Sequence, residues 1–122
     1  MIALDTNVIV RFLTQDDADQ ARRAVAVFDE LTADEPGFVS TVVWAELHWV
    51  LTRSYGFTPR DVVERIAGLS VADEIDAEDP AVVASAVSSA RRGADFADAL
   101  IDAAAKRAGC DDVASSPCAT SA

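Results

Sequence analysis

The chain has 122 residues, of which 51% are hydrophobic and 25% charged, a length and composition that support one buried core and exclude a disordered chain. Its 21 Asp and Glu against 10 Lys and Arg leave a net charge of −11, which opposes non-specific attachment to nucleic acid or an anionic membrane unless bound cations reverse the local field. No 18-residue apolar run and no signal peptide are visible, and Cys110 and Cys118 are too few for a disulfide framework, so a single domain over residues 1–122 is expected, cytoplasmic and with free thiols.

The chain opens "MIALDTNVIV". Ile2, Ala3 and Leu4 read as a short apolar strand that delivers the carboxylate of Asp5, followed by the small polar Thr6 and Asn7. From Asp17 onward Ala21, Ala24, Val25, Phe28 and Leu31 recur at helical spacing, with Arg22, Arg23, Asp29 and Glu30 on the other faces. "DEPG" is turn punctuation and "FVS" a short strand, after which Ser40 or Thr41 can cap a helix through "TVVWAELHWVLTRSYG" that Gly56 ends.

"TPRDVVERIAGL" combines Thr58 as N-cap, Pro59 at the first helical position and Asp61 in the first turn. "SVADEI" is the next strand candidate. "DPAVVASAVSSARRG" repeats the start signals with Asp79 and Pro80 and sets Arg91 and Arg92 at the negative helix end before Gly93. "GADFADALIDAAAKRAGC" is a further helix, and Val113 with Ala114 suggests a last short strand. Short apolar strands alternating with helices imply an α/β fold of three layers, a central parallel sheet flanked by helices, with its ligand crevice outside the carboxyl ends of the strands.

Asp5 stands at such an end, although an Asp after a strand also serves as a helix cap or turn former. Glu46 has Val42, Val43, Trp49 and Val50 one helical turn away, which places a carboxylate on an apolar face where it needs a partner, either Arg11, Arg53 or a bound cation. Asp95 and Asp98 fit the N-cap and third position of their helix. Asp102 has Lys106 four residues on, which leaves Asp98 as the acid with no basic neighbour. His48, the only histidine, reads as a packed core residue with no nucleophile beside it.

Three converging carboxylates repel by roughly 4 kcal/mol per pair at about 4 Å and an effective dielectric near 20, so they either protonate in part or bind a cation. Hard oxygen donors select Mg²⁺, or Mn²⁺ in its place, and such a site suits hydrolysis of a phosphodiester by metal-activated water.

Over nearly the whole chain, "MIALDTNVIVRFL", "FVSTVVWAELHWVL" and "GADFADALIDAAAKRAGC" resemble, in order and spacing, the PIN-domain ribonuclease toxins of the VapC type. The resemblance implies a Mg²⁺- or Mn²⁺-dependent endoribonuclease that hydrolyses RNA, acts as the toxin of a toxin-antitoxin pair, is neutralised by a cognate antitoxin and forms a homodimer. By position it makes Asp5, Glu46 and Asp98 the catalytic and metal-binding acids, with Thr6, Asn7, Asp95 and Ser115 in support. Pro117 stands where the family carries a fourth acid, and the tail is expected to be altered or shortened. That departure motivates the alternative of a catalytically impaired domain that keeps its antitoxin or other partner. A phosphotransfer hydrolase with Asp5 as nucleophile is a third reading, weakened because Asn7 stands where that chemistry wants a second Asp. The candidate contacts to an RNA backbone are Arg11, Arg53, Arg91 and Arg92.

Overall fold

A computed structural model describes residues 1–114. Within them, three strands alternate with six helices: β1 (Ile2–Ala3), α1 (Thr6–Thr14), α2 (Ala18–Asp29), β2 (Gly37–Val39), α3 (Thr41–Arg53), α4 (Pro59–Ser70), β3 (Ile75–Ala77), α5 (Pro80–Arg91) and α6 (Phe96–Arg107). All pairings are parallel in the order β1-β2-β3, with Ile2 opposite Gly37 and Val39 opposite Ala77. The fold is therefore α/β, as the alternation of short apolar runs and amphipathic segments predicts.

Side-chain caps define most helix starts. Asp5, Asp17, Ser40, Thr58 and Asp95 each accept from the backbone N–H three residues on, which satisfies donors that have no partner within the helix. Asp79 differs. It makes no side-chain cap bond, and its carboxylate instead accepts from Arg107 Nε at 3.3 Å, so the expected cap is replaced by a tie from α5 to α6.

Three further expectations are corrected. The residues after Asp5, to which the sequence assigns no helix, form α1, with Ile9 and Val10 buried. The third strand runs Ile75–Ala77, not over "SVADEI", because Val71 lies exposed at the end of α4 while Ile75 and Ala77 are the buried pair. Val113 and Ala114 form no strand. The positions of Ser115, Pro117 and Cys118 lie outside the described residues.

Trp44, Leu47 and Leu51 of α3, Val62 and Ile66 of α4, Val82 and Val83 of α5, Phe96 of α6 and Val39 of β2 are almost wholly buried in one apolar cluster. At 25 to 30 cal/mol per Å² of apolar area, burial of this kind is the main force holding the helices to the sheet. Gly37 marks the tightest approach: a Cβ there would stand 2.7 Å from Leu4 Cδ1 and 3.0 Å from Leu31 Cδ1. No side chain larger than hydrogen fits between β1 and β2 without displacing Leu4.

Candidate active site

Because the strands are parallel, their carboxyl ends open on one edge of the sheet. Leu4 continues β1 by donating its N–H to Phe38 O at 2.9 Å, and Asp5 follows as the N-cap of α1, its Oδ1 accepting from Val8 N–H at 2.9 Å. At the end of β2, Ser40 caps α3. At the end of β3, Glu78 Oε1 accepts from the N–H of Thr41 at 3.0 Å. Glu78 is an acid at this edge that the sequence reading missed, because the displaced third strand hid its position; its signal is that it directly follows the buried Ala77.

Glu46 sits a turn and a half into α3. Thr6 Oγ1 donates to Glu46 Oε1 at 3.0 Å, a bond between residues 40 apart that fastens the first turn of α1 to α3. Asn7 is exposed beside it. Glu46 is exposed too, and so are Val42 at 68% and Trp49 at 55%. The expectation of a carboxylate trapped on an apolar face is therefore wrong: the buried stripe of α3 is Trp44, Leu47, His48 and Leu51, and Glu46 lies off it. Neither arginine proposed as its partner pairs with it, and Arg53 lies over the Trp49 ring at 5.3 Å.

On α6, Asp95 Oδ2 accepts from Asp98 N–H at 3.0 Å, the expected cap. Lys106 bridges Asp102 at 2.9 Å. Among the described residues, none of Asp5, Glu46, Asp95 and Asp98 joins an ion pair. The helix that carries Glu46, α3, packs against both α1, which Asp5 caps, and α6, which carries Asp98. The three acids do not close up, however: among the described residues no three His, Cys, Asp or Glu side chains are near enough together to hold a metal ion. As a donor set, exposed carboxylate oxygens without cationic neighbours suit a hard divalent ion.

A match to the family model described as "PIN domain" extends over residues 2–116. The chain belongs to the PIN-domain family. Curated proteins and solved structures offer no match to it. PIN domains are in general nucleases that use divalent metal ions. No helix among the described residues is long and apolar enough to cross a membrane.

One residue set aside in the sequence lies close by. His48 is buried at 7% exposure, its ring 5.3 Å from that of Phe96, and its Nε2 has no hydrogen-bond partner among the described residues. Burial holds its pKa below the ordinary value, against the smaller opposing pull of Asp95, so the imidazole is neutral at pH 7.

Proposed function

We propose that this PIN domain is an endoribonuclease that depends on Mg²⁺ or Mn²⁺ and serves as the toxin of a toxin-antitoxin pair, with Asp5, Glu46 and Asp98 as its catalytic and metal-holding acids. The observation that carries the assignment is the Thr6–Glu46 hydrogen bond, which ties the segment bearing the first acid to the helix bearing the second. A divalent ion held there supplies positive charge for a phosphate oxygen and an acidified water.

The chain's own residues do the positioning. Asp5 is fixed at the start of α1 by its cap bond and Glu46 by the Thr6 hydroxyl. Asp98 is set in the first turn of α6 by Asp95, while Asn7 and Ser115 are supporting polar groups. A net charge of −11 suits an antitoxin that lays a basic segment over the acids. The homodimer, the cytoplasmic location and a single domain over residues 1–122 complete the proposal.

A second reading has its own observation. Pro117 stands where the resemblance expects a fourth acid, which suits a domain that keeps its antitoxin or other partner but cleaves poorly.

Thermal unfolding in EDTA, Mg²⁺ and Mn²⁺ separates the two. Ligand at about 100 times its dissociation constant stabilises by roughly 2.7 kcal/mol, a rise of several degrees for a chain this size. A rise abolished by Asp98→Asn supports the nuclease, and no rise at millimolar metal supports the impaired domain.

A further inference from the structure

Between α3, α4, α5 and the start of α6 lies a cavity of about 580 Å³ whose wall includes His48, Arg60, Glu64, Arg91, Asp95 and Phe96. Its volume falls within the roughly 300–1,000 Å³ of small-molecule sites. We propose that this cavity is a nucleotide subsite, taking one unstacked base of the RNA strand next to the cut, with the neighbouring phosphate on Arg60. The inference rests on the nuclease reading and adds to it a place where the strand is held and read.

Three observations carry it. The first is His48, more than nine-tenths buried, with an Nε2 that finds no partner among the described residues. Buried polar atoms are almost always hydrogen-bonded, so an orphaned nitrogen in the ring that walls a cavity is an unmet demand. The two ring nitrogens of an imidazole are hydrogen-bonding groups of the kind that also edge a nucleobase.

The second is charge. In a chain of net charge −11, the cavity wall carries two arginines against two carboxylates. Arg91 is committed to Glu64, with Nε and Nη2 donating at 2.8 Å each. Arg60 makes no hydrogen bond or ion pair among the described residues; its charge is felt by Glu64, but its planar fork is left to bind a phosphate.

The third is location. Asp95 belongs to the cavity wall and, through its carboxylate, caps the turn that carries Asp98. A strand with its scissile phosphate at the acids passes the mouth of the cavity, where an unpaired base can turn in. Single-stranded RNA is read in this manner, by bases splayed out of the stack into pockets.

The test uses His48 as its own reporter, since it is the only histidine and gives the only imidazole proton signals. In EDTA, without cleavage, the four nucleoside 5′-monophosphates and inorganic phosphate are titrated while those signals are followed by NMR. The expected result is a saturable shift with at least one nucleotide and none with inorganic phosphate. Arg60→Ala should weaken it about ten-fold, the size of one charge-assisted contact, and Ala94→Trp, at the exposed mouth, should remove it while circular dichroism stays unchanged. With metal and a random-sequence single-stranded RNA pool, both variants should relax a base preference at one fixed distance from the cut.

Cleavage by the unaltered protein with no His48 shift from any nucleotide, or an equal shift from inorganic phosphate, overturns the subsite and leaves the nuclease reading intact. A nucleotide-specific shift without any RNA cleavage refutes the nuclease reading, and with it the RNA strand as source of the base, while the nucleotide site stands.

Discussion

The hydroxyl of Thr6 donates to Oε1 of Glu46 across 3.0 Å, joining residues 40 positions apart. Thr6 directly follows Asp5, so the bond sets the spacing between two of the proposed metal-holding acids and uses one of the lone pairs on Glu46. Thr6→Val keeps the shape and removes the donor. Stability should change by less than about 1 kcal/mol, because the bond is exposed, while the metal concentration needed for half-maximal cleavage should rise by about 10- to 100-fold, as for other partners that orient a metal ligand. A metal titration of the variant checks this, and an unchanged midpoint would show that Thr6 does not orient Glu46.

Much of this arrangement was legible where local chemistry agrees with itself. Thr58, Pro59 and Asp61 mark the start of α4 because cap, fixed φ and helix dipole all favour the same residue. Asp95 and the Asp102–Lys106 pair follow from spacing alone. Burial direction did not. Val42 and Trp49 are apolar yet exposed, so the face that includes Glu46 looked buried when it is open; one-dimensional spacing gives the stripes of a helix but not which one meets the core. His48 is packed in the core as its spacing suggests, but nothing local shows that α4, α5 and α6 enclose a cavity against it. The third strand slipped because an apolar run of three residues leaves its register to tertiary pairing.

Gly37 offers a test of the sheet that carries Asp5. Its added Cβ would stand 2.7 Å from Leu4 Cδ1, and Leu4 is the residue immediately before the acid. Gly37→Ala should destabilise by about 1–3 kcal/mol through overpacking, read as a lowered urea midpoint with an unchanged slope. A midpoint equal to that of the unaltered protein would mean that β1 and β2 can separate freely and that Asp5 is not rigidly held.

His48 predicts a pH dependence of stability. Burial lowers its pKa in the folded chain from the ordinary 6.5, so below that value the unfolded chain takes up a proton first. Its contribution to stability is therefore complete above pH 6.5 and is lost as pH falls below it. Urea unfolding at pH 7.5 and 5.5 should show a decline that His48→Gln flattens. Glu64, whose pKa is lowered from 4.5 chiefly by its hydrogen bond to Arg91, acts at lower pH and leaves that window clear. An equal decline in the variant would assign the loss to other groups.

The most direct measurement is cleavage of single-stranded RNA by the purified chain with Mn²⁺ or Mg²⁺ and with EDTA, repeated with Asp5→Asn and Asp98→Asn. Neither acid is buried or joined to a cation among the described residues, so each substitution should leave the fold intact and remove only a charge. The expected result is cleavage that requires metal and falls at least about 100-fold in each variant, the loss of roughly 2.7 kcal/mol of transition-state stabilisation. Cleavage that persists in EDTA, or that both variants retain, would contradict a catalytic centre built on Asp5, Glu46 and Asp98.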